Sequence, residues 1–207
     1  DFACYENELG LVEDLPSWNF VEWSMANNLT GGVNYPTNMM YSAFLAAGAE
    51  LYGIDELRTK AERIKDTVCR LSFDGTYFRD HDIRDEKGTL VPCPERTETC
   101  QYYAFFFDIA TPSEYPALWE KLVTLFGPKR DAATTEPDIY ISNSFVGNYM
   151  RLDILRRYGM REQMLSEIED YFYGMAEKTG TLWEHSDNSN SCDHGFASYV
   201  IYLMRED

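Results

Sequence analysis

The sequence predicts an all-α protein, an (α/α) toroid of helical hairpins in two layers. Three observations lead there. Stretches with helix start and stop signals follow one another along most of the chain. They alternate in character, one apolar nearly all round and the next apolar along a single stripe, as inner and outer helices of a ring must. The connections alternate as well, short after an inner helix and long after an outer one.

Residues 1–33 read as a long irregular opening that holds two tryptophans, in Leu15-Pro16-Ser17-Trp18-Asn19-Phe20-Val21-Glu22-Trp23, ahead of Gly31-Gly32. A first helix is expected from about Pro36, a first-turn proline, to Tyr52, with Gly53 after its end. Met39, Met40, Ala43, Phe44, Leu45, Ala46 and Ala47 leave it little polar face, so it belongs inside. The second, from Asp55 as N-cap to about Leu71, carries one stripe of Leu57, Ala61, Ile64, Val68 and Leu71 among charges. Thr99 to Ala110 repeats the inner character, and Glu114 to Phe126 (Leu118, Leu122, Leu125) the outer. Ser144 to Tyr158 is mixed. Arg161 to Glu177 sets Met164, Ile168, Phe172 and Met175 between charges, and Gly195 to Met204 is apolar throughout. The repeat is one of pattern, with no strict repeat of residues.

The short turns fall at Gly53-Ile54, Thr111-Pro112 and Gly159-Met160; the long connections are 72–98, 127–143, 178–194 and the opening segment. If the hairpins run antiparallel, every long connection gathers at one end, where a rigid scaffold carries a site. Seven helices make three and a half hairpins and leave an open edge. The remaining units are expected upstream of Asp1 or from a second chain. Residues 1–207 therefore read as a single, partial domain.

Composition narrows the partners. With 35 acidic against 18 basic residues the net charge is −17, which repels nucleic acid and anionic membrane surfaces. No run of about 18 apolar residues suggests a membrane span. Five cysteines without CxxC spacing favour thiols over a disulfide framework and argue against zinc. Asp80-His81-Asp82 with Asp85 and Glu86 has metal-ligand chemistry, but it precedes Lys87-Gly88 and reads as a charged hairpin tip. GxSxG, P-loop, GxGxxG and HExxH patterns are all absent, so no cofactor or metal is expected.

What remains is a carboxylate beside an indole. Gly180-Thr181-Leu182-Trp183-Glu184-His185 leads through a polar run to Cys192-Asp193-His194-Gly195, in the long connection before the last inner helix. A carboxylate so placed can activate a water against a sugar, and Glu184 is the candidate general base. Trp18, Trp23 and Trp183 are candidate stacking surfaces for sugar rings. Glu22 and Glu98 are further loop-end carboxylates able to bind hydroxyls, and Glu98 equally suits a helix N-terminus. His194 can donate to a sugar hydroxyl.

These segments resemble the six-hairpin (α/α)6 catalytic domain of bacterial α-L-rhamnosidases, glycoside hydrolase family 78. PSWNFVEW (16–23) is similar to the family's aromatic FVDW segment, with Glu22 at the acidic position. RTETCQYYAFFFDIA (96–110) resembles the helix that follows a seHxxA-type opening, with Glu98 at its acid. NSFVGNYMRLDILRRYG (143–159) resembles the GFxGxxLL helix, and GTLWE with CDHGFAS (180–198) resembles TTlWE with NHyafGS. The resemblance implies the C-terminal half of that toroid, with Glu184 as catalytic base and His194 as a sugar contact. Asp193 stands where Asn is common. The family's DCPxR and GWTGD segments, which carry the general acid, and its β-sandwich have no counterpart here. Inverting hydrolysis of a terminal rhamnoside is thus implied, with the acid supplied from outside this stretch. Another six-hairpin hydrolase or epimerase, a non-catalytic carbohydrate-binding or scaffold fragment, and a helical interaction module are the rival readings.

Overall fold

Hairpins of helices, packed side by side, are what the chain builds. The computed structural model describes residues 2–143 and 145–205. Among them are seven α-helices: α1 Tyr35–Tyr52, α2 Asp55–Ser72, α3 Glu98–Phe106, α4 Pro116–Leu125, α5 Gly147–Arg157, α6 Arg161–Thr179 and α7 Tyr199–Met204. α1 packs on α3, α3 on α5 and α5 on α7, which makes an inner row. α2 folds back on α1, and α6 on α5. None of these helices is long and apolar enough to cross a membrane.

Local chemistry sets the boundaries. Asn34 caps α1 by accepting from the Thr37 N–H at 2.9 Å, and Pro36 occupies the first turn. Gly53 ends α1 in the left-handed conformation and donates to Ala49 O at 2.9 Å. Asp55 is not the N-cap of α2. Ile54 holds that place without a side-chain cap, and Asp55 lies in the first turn, where its charge favours the helix dipole. α3 begins at Glu98 because Thr97 caps it, accepting from Cys100 N at 3.0 Å, and it ends at Phe106 rather than Ala110. The mixed helix expected from Ser144 is α5, starting at Gly147; Ser144 itself lies outside the described residues.

Two expectations about burial are corrected. α1 is apolar on both faces but buried on only one: Met39 and Leu45 are buried, while Met40, Phe44 and Leu51 are exposed. The last inner helix is only six residues, preceded by a 3₁₀ turn at Gly195–Ser198, and Ile201, Tyr202 and Met204 are exposed. Both helices stand at the ends of the inner row, so each has a neighbour on one side only.

The long connections carry short strands that periodicity did not reveal. β1 (Val33–Asn34), β2 (His81–Arg84) and β3 (Leu90–Pro92) form an antiparallel sheet; Asp85 and Glu86 lie at the exposed β2–β3 turn as the sequence suggests, but Asp80 and Asp82, expected at the same charged tip, are buried. Gly32 lets β1 approach β2, since a Cβ there would collide with Asp82 O. β4 (Arg96–Thr97) pairs in parallel with β5 (Ile139–Tyr140), bringing the second and third long connections together ahead of α3.

The apolar interior falls in two clusters. The larger joins the opening segment to α1–α4, with Leu11, Tyr35, Met39, Phe105, Leu118 and Leu122 fully enclosed. The smaller joins α5 and α6 to the last connection and α7 through Leu152, Leu155, Met164, Phe172 and Trp183.

Candidate functional site

At the long-loop end, a cleft of about 220 Å³ opens over the start of α3. Glu98, Tyr102, Arg130, Asn148, Arg151, Asp170 and Tyr171 contribute to its walls. Thr97 and β4 fix Glu98 at the first position of α3. Its carboxylate contacts the Arg130 guanidinium at 2.6 Å and accepts from Tyr102 OH at 3.1 Å and Ser142 N at 3.2 Å. Burial raises the Glu98 pKa, and Arg130 opposes that shift. Arg151 is equally enclosed, in a bidentate pair with Glu167 at 2.6 and 2.8 Å, and also donates to Leu122 O. Both cations in the wall are therefore neutralised.

An amide in this wall has no partner among the described residues. Asn148 is 2 % exposed and lines the cleft, yet neither its amide nitrogen nor its carbonyl oxygen meets a hydrogen-bonding group among the described residues. A buried amide left bare costs about 1–3 kcal/mol, so an orphan facing a polar cleft marks a place for a hydroxyl-bearing ligand or water.

A second cleft of about 220 Å³ adjoins the first, sharing Ile141, Ser142 and Ser186 and adding Trp23, Tyr140, Asn143 and His185. Asn143 organises it. Its amide donates to Trp23 O at 2.8 Å and lies 3.1 Å from His185 Nδ1, while its carbonyl accepts from Ser186 N at 3.0 Å. Trp23 and His185 stack with ring centres 6.3 Å apart. The opening segment, the third connection and the last one thus meet here, as the shared end of the long loops predicts.

Glu22 turns away from this space. It is fully buried and accepts from Thr99 Oγ1, Gly147 N, Ser24 Oγ at 2.8 Å and Ser142 Oγ at 3.2 Å. Burial raises its pKa against the pull of those donors. Gly147 is required beside it, because a Cβ there would collide with Ser142 Oγ. Glu22 ties three loops together behind the cleft, and the sugar contact expected of it is blocked by its own partners.

Trp183 is likewise not a stacking surface. It is 3 % exposed within the smaller core cluster, with its indole N–H donating to Thr179 Oγ1 at 2.8 Å. Glu184, next to it, is half-buried in a loop closed by its own N–H donating to Ser191 O at 2.9 Å. The following residues, His185 and Ser186, line the clefts. His194 is half-buried against Phe145, ring centres 4.7 Å apart, and its Nε2 has no hydrogen-bond partner among the described residues. Trp18 is exposed and packs on Phe20 and Trp23 at the edge of the same aromatic group.

The sequence reading missed Arg130, Asn143, Asn148, Arg151, Tyr171 and His185. Arg151 left a trace, as a charge inside the apolar run of α5. Asn143 and Asn148 left none, for an amide in a loop or helix start is unremarkable until its neighbours are known.

Comparison with solved structures follows the same lines. The chain superposes on the GH78 family rhamnosidase of Bacillus sp. GL1 with a TM-score of 0.71, at 16% identity, over 93% of this chain and 20% of that one. It superposes on a rhamnosidase from Klebsiella oxytoca with rhamnose bound with a TM-score of 0.65, at 12% identity, over 98% of this chain and 39% of that one. The chain shares their fold. It spans only a fifth to two fifths of their lengths. No protein-family model and no curated protein matches its sequence.

Proposed function

We propose that this chain is part of a glycoside hydrolase of the α-L-rhamnosidase kind, contributing the sugar cleft and the general base of an inverting site. The observation that carries the reading is the orphaned Asn148 amide in a polar, charge-compensated cleft at the long-loop end, on a fold shared with two rhamnosidases. Paired arginines and an unpartnered amide suit a neutral, hydroxyl-rich ligand. The exposed Ile141 side chain, between the two clefts, suits the methyl group of a 6-deoxy sugar. In this scheme Glu184 deprotonates water while an acid on the opposite face protonates the leaving oxygen, the two carboxyls about 6.5–9.5 Å apart. His194 and Trp23 hold the ring, Trp18 extends the platform, and Glu98 orients hydroxyls.

The acid comes from the remaining hairpins of the toroid, in the same polypeptide or a second chain. The exposed apolar faces of α1 (Met40, Phe44, Leu51) and α7 (Ile201, Tyr202) are where those hairpins dock. Alone, the chain is expected to hydrolyse an aryl rhamnoside poorly or not at all, with activity appearing when the remaining hairpins are restored and lost again in Glu184→Gln. Full turnover by the isolated chain would refute the division of labour. Turnover of glucosides or uronides in place of rhamnosides would move the chain to another six-hairpin hydrolase or epimerase.

A second reading, carbohydrate binding without turnover, is favoured by the ion pairing of Glu98 with Arg130, which removes one carboxylate from acid–base work. It predicts rhamnose binding unaffected by Glu184→Gln and no hydrolysis in the completed toroid.

A further inference from the structure

We propose that His81, Cys93 and Glu95 form a binding site for a divalent cation of the zinc class at the open end of the β2–β3 hairpin. One imidazole nitrogen, the Cys93 sulfur and one Glu95 carboxylate oxygen all lie within 4.8 Å of one another. His81 Nε2 and Glu95 Oε2 are 3.8 Å apart. Ligand atoms around tetrahedral zinc are separated by about 3.3–3.8 Å, given metal–ligand bonds of about 2.0–2.3 Å. A small side-chain rotation therefore closes the three onto one ion.

The backbone brings these residues together. The antiparallel register pairs Asp82 with Pro92, and one step further sets His81 opposite Cys93, on the same face of the sheet. Beyond the end of β3, Asp80 N donates to Glu95 O at 3.3 Å, one residue out of that register, and this bond holds Glu95 beside the start of β2. His81 Nδ1 lies 3.2 Å from Gly31 O. A backbone carbonyl can only accept, so Nδ1 donates to it, and Nε2, on the side of Glu95, is the nitrogen left to meet an ion. That carbonyl–imidazole contact is the usual outer support of a metal-binding histidine.

The donor set identifies the ligand class. A thiolate with an imidazole and a carboxylate matches zinc, or cobalt in its place, better than calcium or magnesium, which take oxygen alone. Three protein donors leave the fourth position to water. The ion would tie β2, β3 and, through Gly31, β1 into one unit ahead of the segment that enters α3.

The test is titration of the full chain with zinc and with cobalt(II), followed by calorimetry and absorption spectroscopy. One ion per chain is expected, with a thiolate-to-cobalt charge-transfer band, and zinc should raise the thermal midpoint. Cys93→Ser should abolish the band and weaken binding by roughly a hundredfold or more, and Glu95→Gln, at a half-exposed position, should weaken it without unfolding. A double Cys4→Ser, Cys192→Ser variant should bind as the wild type does. Circular dichroism separates loss of the site from loss of the fold. Absence of stoichiometric binding, a cobalt spectrum without the thiolate band, or binding that survives Cys93→Ser in a folded protein would each overturn the proposal.

Discussion

Val21-Glu22-Trp23 and Trp183-Glu184-His185 hold the same two side chains in neighbouring positions, and the fold treats them in opposite ways. In the first, the carboxylate is buried with four protein donors and the indole is half-exposed beside a cleft. In the second, the indole is buried in a core cluster and the carboxylate lies in a half-exposed loop. The role of such a pair is set by which member the interior takes. An indole taken inside leaves its acid near solvent, where it can meet water and substrate. An acid taken inside becomes a fastener.

The largest effect should come from removing the buried indole. Trp183→Ala is expected to lower stability by about 3–5 kcal/mol, while Trp23→Ala costs about 1 kcal/mol; urea unfolding measures both. Equal losses would mean that the two indoles are not on opposite sides of the surface. Glu22→Ala should follow at about 3 kcal/mol, because it strands Thr99 Oγ1, Gly147 N and two serine hydroxyls inside the protein. Glu184→Gln, by contrast, should stay within about 1 kcal/mol in the same measurement.

Binding sharpens the contrast further. Asn148→Ala should weaken rhamnose binding by about tenfold, the worth of one good hydrogen bond to a hydroxyl, while changing stability little or raising it. Calorimetry with rhamnose reads the first effect. Unchanged affinity would remove the cleft from the sugar site.

A dependence on pH tests the same interior by another route. Asp80 is fully buried beside the Glu22 network, and burial raises its pKa from 3.8 to about 7, against hydrogen bonds from Thr97 N at 2.7 Å and Thr97 Oγ1 at 2.8 Å. The folded state thus holds this proton more tightly than the unfolded chain does. Its stabilising contribution is complete below the ordinary carboxylate pKa and is lost as the pH rises toward about 7. Thermal midpoints of Asp80→Asn should fall less than those of the wild type between about pH 4 and 7.

Much of this was open to a reader of the sequence, and the reason is local. Helix order follows from apolar spacing, Pro36, Gly53 and Gly159, and the meeting of the long connections follows from their lengths. The polar loop after Trp183 and the Asp85–Gly88 hairpin turn are equally written in neighbouring residues. Tertiary packing alone decided which residues of those loops face the cleft. Glu22 and Trp183 looked like ligands because each is a sugar-binding type beside its usual companion, yet both are enclosed by residues distant in sequence. Asn143, Asn148 and Arg130 acquire their roles only from groups far along the chain that fold beside them. Likewise, His81 finds Cys93 only through strand register. Periodicity records the surface a segment must bury. Which polar group is left without a partner depends on every segment that arrives there, and no single stretch of sequence contains that sum.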